Sequence, residues 1–93
     1  MADKSAEQVR LISHLDKPIS DFTFLERSLL FSEISTIAYM HPRECTMAAK
    51  RLGFTAGKFV NSDGAQAYVF SNQWDCVVAC RGTEANEWND IRA

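Results

Sequence analysis

Only two prolines and four glycines occur in 93 residues, too few for a collagen-like, proline-rich or low-complexity chain. No apolar run exceeds the five residues from Cys76 to Cys80, far short of the roughly 20 that cross a bilayer as a helix. Neither sign of charge dominates. Ten Lys and Arg against twelve Asp and Glu leave a net charge of −2, which gives no basic footprint for nucleic acid or an anionic membrane. The three cysteines are odd in number and lack framework spacing, so they read as reduced thiols rather than a disulfide scaffold. The stretch from Met1 to Gln8 is polar and carries acids, unlike a signal peptide. These absences point to a cytoplasmic protein. What is present is a hydrophobic content of 46%, enough to bury one core and therefore one domain, 1–93.

Helical signals fill the first half. Ser5 and Gln8 stand at capping-box spacing, and Val9 and Ile12 share a face, so the pattern predicts a helix from Ala6 to Leu15 that ends at Asp16-Lys17-Pro18. Thr23 and Glu26 form a second capping box with Phe22 ahead of it. The helix they open carries Leu25, Leu29, Leu30, Ile34, Ile37 and Ala38 as a wide apolar stripe. His41-Pro42 breaks it, and Pro42 then suits the first turn of another helix, with Glu44 where the helix dipole favours acid. Cys45, Ala48, Ala49 and Leu52 line the buried side of that helix, and Gly53 terminates it.

Beyond Gly53 the periodicity turns extended. Lys58 to Asn61 is a short strand, Ser62-Asp63-Gly64 a tight turn, and Ala65 to Ser71 a strand with two packed faces. After the turn Asn72 to Asp75, Cys76 to Arg81 returns as a strand buried on both faces. The expected fold is α+β: two or three helices on one face of a three-stranded antiparallel sheet. Within it 1–19 is an N-terminal helix or arm, 20–54 a helical pair, 55–83 the meander and 84–93 a polar tail. The core should contain Leu29, Ile34, Ile37, Leu52, Val69, Val77 and Ala79.

The last strand leads into Arg81-Gly82-Thr83-Glu84. A glycine there permits a sharp turn, and the amides around Thr83 would then face outward as preorganised donors, the construction of an oxyanion hole. With a helix opened by Pro42 and closed by Leu52-Gly53-Phe54, a hairpin, and Trp88 in an acidic loop, the chain resembles the N-terminal segment of class 3 lipases. The resemblance runs from Ser20 to Ala93 and is sharpest from Tyr68 to Arg92. Those enzymes are serine hydrolases of the α/β-hydrolase type that act on acylglycerols and related esters. The resemblance implies that Thr83, supported by Gly82, supplies an oxyanion-hole donor. It also implies that Asp90 or Asn89, after Trp88, anchors the helix beyond the hole.

One requirement of that family is unmet within these residues. None of Gly53, Gly57, Gly64 or Gly82 has a Ser two positions later, so there is no Gly-x-Ser-x-Gly nucleophile elbow. His14 and His41 both precede the Arg-Gly-Thr element, whereas the family's acid and His follow the nucleophile. The chain alone is therefore expected not to hydrolyse esters.

Other candidates carry less chemistry. Arg81 reads as a structural ion-pair partner ahead of a ligand group, and Trp88 and Asp90 are weak binding candidates. Cys76 and Cys80 share one side of a strand and could join Cys45 on a metal, but zinc wants a fourth ligand. Buried small residues are the preferred reading, and no metal or cofactor is expected. Glu33 and Glu44 lack partners for acid–base work. Trp74, at a turn tip, is either an exposed contact or a lid on the hairpin. The function expected is a fragment or remnant of a lipase-like hydrolase, completed in one version by a separate chain. The alternative is a stand-alone oligomeric α+β binding protein. Because the last strand has one neighbour only, a homodimer is expected, unless the first helix folds over the exposed face.

Overall fold

Thr23 caps the first helix as its sequence predicts. In the computed structural model, which describes residues 10–81, the Thr23 hydroxyl accepts the Glu26 N–H at 3.1 Å. The Glu26 carboxylate accepts the Thr23 N–H at 2.8 Å, closing the capping box. Helix α1 runs Phe24–Ile37. It buries Leu30, Glu33, Ile34 and Ile37, a stripe at i, i+3, i+4 and i+7. Leu25 and Leu29 are exposed, 78% and 39%, which removes both from the expected stripe and Leu29 from the expected core.

Helix α2, Pro42–Leu52, has Pro at its first turn, Glu44 near its N-terminus and Lys50 and Arg51 in its last turn. Each suits the helix dipole or the missing amide donor. It buries Cys45, Ala48, Ala49 and Leu52, as expected. Gly53 ends it in the left-handed region at φ 111°, where a residue without Cβ is least strained.

Strands β1 (Ala56–Ser62), β2 (Ala65–Ser71) and β3 (Cys76–Cys80) form an antiparallel sheet in the order β1-β2-β3. Asp63 and Gly64 both have positive φ, 51° and 84°, and Ser62 pairs with Ala65. The hairpin loop therefore has the two-residue type I′ form that matches strand twist. Asn72 shapes the second turn, its side-chain oxygen accepting the N–H groups of Trp74 and Asp75 at 2.9 Å each.

The protein is thus α+β, with two helices packed with a three-stranded antiparallel sheet. The core lies between them: Phe70 and Tyr68 from β2 meet Leu30, Ile34 and Ile37 of α1 and Cys45, Ala48 and Leu52 of α2. Tyr68 stacks on Phe70 at 5.7 Å and packs Phe59 at 4.9 Å. Val77 and Ala79 contribute as partly buried neighbours.

Further expectations need correction. Val69, expected in the core, is only partly buried and alternates to the face opposite Tyr68 and Phe70. Residues 10–15 are not helical; their amides go elsewhere. Ile12 and Ser13 donate to the two carboxylate oxygens of Glu33 at 2.7 and 3.0 Å, and Leu15 donates to the Leu52 carbonyl at 2.7 Å. The Ser5 and Gln8 capping pair lies outside the described residues. Strand β3 is also not buried on both faces. Val77 and Ala79 turn inward, whereas Cys76, Val78 and Cys80 are exposed, Val78 by 61%. The sheet face opposite the helices is uncovered among the described residues, because residues 10–15 run along α1 and α2.

Candidate functional site

Arg81 follows β3 directly, and its position is fixed from three directions. Its backbone N–H donates to the Gln66 carbonyl at 2.9 Å. The guanidinium reaches the Gln66 side-chain oxygen through Nη1 and the Tyr39 carbonyl through Nη2, both at 3.3 Å. Arg81 thus ties the end of β3 to β2 and to the junction between α1 and α2. Among the described residues its side chain is held by hydrogen bonds rather than by a carboxylate. Gly82, Thr83, Trp88, Asn89 and Asp90 lie outside the described residues.

Behind Arg81 sits a polar pair in the core. The Tyr68 hydroxyl donates to the Met40 carbonyl at 3.0 Å and neighbours the Cys45 thiol. Burial pushes the Cys45 thiol up to about 12, against the opposing pull of the Arg81 charge. Burial likewise raises the Tyr68 phenol, helped by neighbouring Cys45 and opposed by Arg81. A thiol so buried stays protonated and is a packing group, not a nucleophile.

The three cysteines do not converge. Cys45 is buried under the sheet, while Cys76 and Cys80 are exposed on the uncovered face. They correct the sequence reading of Cys76 and Cys80 as buried residues. Among the described residues no group of three metal-ligating side chains comes together, and no helix is long and apolar enough to cross a membrane.

A cleft of about 250 Å³ opens between the N-terminal segment and the start of α1, where His14, Asp16, Lys17, Phe22 and Glu26 meet. Two of its charges, Lys17 and Glu26, are already engaged. The Glu26 carboxyl is held below its usual range by the Thr23 N–H, with Lys17 adding to the effect. Lys17 lies 3.6 Å from Glu26 and 5.2 Å from the centre of the Phe22 ring. This cluster caps a helix.

Two anchoring carboxylates escaped the sequence reading. Glu33 holds the N-terminal segment, and Asp75 accepts the Ile19 N–H at 2.9 Å. Glu33 carried a signal, an acid at i+3 between Leu30 and Ile34 on the buried stripe. Asp75 carried none, since an acid in a turn is ordinary. Trp74 is 41% exposed and stands at the turn tip as an accessible side chain. No protein-family model, no curated protein and no solved structure matches the chain.

Proposed function

We propose that residues 20–93 are the N-terminal portion of a lipase-like serine hydrolase of the class 3 type, with β3 delivering the chain to an oxyanion hole at Gly82 and Thr83. The anchorage of Arg81 carries this reading. An oxyanion donor works when it is positioned before charge develops, and a strand end tied at Gln66 and Tyr39 is a fixed base for the residues that follow. The 93 residues hold no Gly-x-Ser-x-Gly, so ester hydrolysis requires a nucleophile from outside them.

Ester turnover and the reading frame test this together. The 93-residue chain should hydrolyse a short-chain nitrophenyl ester no faster than its Thr83→Ala variant, and a phosphonate probe should label no serine. The frame read beyond Ala93 should enter a Gly-x-Ser-x-Gly. In that longer product Thr83→Ala should lower kcat by about tenfold or more, with KM changed less. A frame without the motif overturns the assignment, as does stoichiometric labelling of a serine in the 93-residue chain.

A second reading rests on a separate observation: β3 is an edge strand among the described residues, and its outer side chains are apolar or thiol and exposed. Exposed strand edges template pairing with another chain. On this reading the 93-residue chain is a homodimer with a non-catalytic role. Sedimentation should give about twice the 10.5 kDa chain mass; a monomer at about 100 μM would reject it.

A further inference from the structure

We propose that the homodimer forms by antiparallel pairing of β3 with its copy about a two-fold axis at Val78, setting Cys76 opposite the partner's Cys80 and Asp75 opposite the partner's Arg81. The proposal rests on the self-association reading and assigns its surface and register.

The bonding pattern of β3 determines which groups are offered. The Arg81 N–H bonds the Gln66 carbonyl, and the Asn72 N–H bonds the Asp75 carbonyl. With Tyr68 opposite Ala79 and Phe70 opposite Val77, the odd positions 75, 77, 79 and 81 point their backbone groups at β2. The even positions 76, 78 and 80 therefore send theirs to the open edge. A two-fold axis at Val78 pairs all three even positions, Val78 with itself and Cys76 with Cys80, for about six hydrogen bonds. Shifting the axis to 77 or 79 leaves one even position without a strand partner.

Side chains agree with that register. Asp75-Cys76-Val77-Val78-Ala79-Cys80-Arg81 is close to symmetric about Val78. An acid meets a base, a thiol a thiol, and a small apolar residue another. Opposite charges directly across a sheet are stabilising, and like charges are not. Any register that moved the axis by two positions would set Asp75 or Arg81 opposite an uncharged residue. Asp75 and Arg81 are each already fixed by the chain's own bonds, to Ile19 and to Gln66 and Tyr39. A carboxylate and a guanidinium both retain capacity for more.

Among the described residues the β1 edge is guarded and the β3 edge is not. β1 carries Lys58 and Asn61, whereas the five residues of β3 contain no charge, no proline and no glycine. Charge, above all lysine, and proline are the usual blocks to edge pairing.

Single-cysteine variants and a short thiol-bridging reagent, dibromobimane, test the register. Each thiolate displaces one bromide, so no oxidant is needed, and buried Cys45 does not compete. Wild-type chain should cross-link to a species of twice its mass. Neither Cys76→Ser nor Cys80→Ser should cross-link alone, because each then faces Ser across the axis. An equimolar mixture of the two should recover the cross-link. Both thiols are exposed, so the variants should fold with unchanged circular dichroism. A sedimenting dimer in which either variant cross-links by itself, or the mixture does not, overturns the register while self-association stands. A monomer at about 100 μM overturns both, and so would residues 82–93 occupying the edge of their own chain.

Discussion

A Cβ placed on Gly53 would stand 2.9 Å from the Cβ of Leu15 and 3.0 Å from its backbone nitrogen. Gly53 is thus required twice, by its φ of 111° and by the N-terminal segment that crosses it. That crossing is held by the Leu15 N–H bond to the Leu52 carbonyl at 2.7 Å. Gly64 has a φ of 84° and nothing within 4 Å, so it isolates the backbone effect. Gly53→Ala should destabilise by about 2–4 kcal/mol, and Gly64→Ala by about 1 kcal/mol. Urea unfolding of both variants measures the difference, and equal losses would show that the Leu15 contact contributes nothing.

Glu33→Ala should release the N-terminal segment without unfolding the helices. The carboxylate satisfies the amides of Ile12 and Ser13, and removing a partner from a half-buried donor costs about 1–3 kcal/mol. Glu33→Gln keeps one acceptor oxygen and should recover part of that. Amide exchange at Ile12 and Ser13 should accelerate in Glu33→Ala while Leu30 and Ile37 stay protected. Unchanged exchange at 12 and 13 would mean the clamp does not hold in solution.

These two contacts also mark where the sequence was legible. Helix α2 was fully readable because Pro42, the small apolar positions Cys45, Ala48 and Ala49, and Gly53 all act within one helix. The arm was not. Its amides find Glu33 and Leu52, 20 and more residues away, and local periodicity cannot see such partners. On α1, Phe24, Leu25, Leu29 and Phe31 are exposed while Leu30, Ile34 and Ile37 are buried, so apolar residues surround the helix and spacing alone does not choose a face. In β3, Cys, Val and Ala suit either a buried or an exposed face, and which side the helices cover is a tertiary choice. Of the candidate site only Arg81 could be placed, and its partners Gln66 and Tyr39 were not suggested by spacing.

The burial difference between Ile37 and Val77 should appear directly in stability. Ile37 is fully buried, and truncation to Ala should cost about 2–4 kcal/mol. Val77 is only partly buried beside the core, so Val77→Ala should cost about 1 kcal/mol. Denaturant midpoints with unchanged slopes test both. A Val77 loss as large as that of Ile37 would mean that Val77 is buried in solution as deeply as the core residues it packs against.

The buried pair Cys45 and Tyr68 should make the fold sensitive to alkali. Both groups are neutral when protonated, and both ionise less readily in the folded chain, chiefly because burial disfavours the anion. The unfolded chain therefore loses these protons at lower pH than the folded chain does. Stability should be level up to about pH 8.5, the ordinary thiol range. It should then fall toward the folded thiol value of about 12, at up to about 1.4 kcal/mol per pH unit for each proton retained only by the folded state. Cys45→Ala removes the thiol's share, so its stability should decline less steeply between pH 9 and about pH 10, below the phenol's range. Tyr68→Phe should remove the steeper loss that sets in above about pH 10, and should also lower stability at neutral pH by about 1–2 kcal/mol, because the Met40 carbonyl loses its donor. Urea titrations at pH 7, 9 and 10.5 distinguish the contributions. Parallel declines in wild type and Cys45→Ala would show that the thiol is not buried in the folded protein.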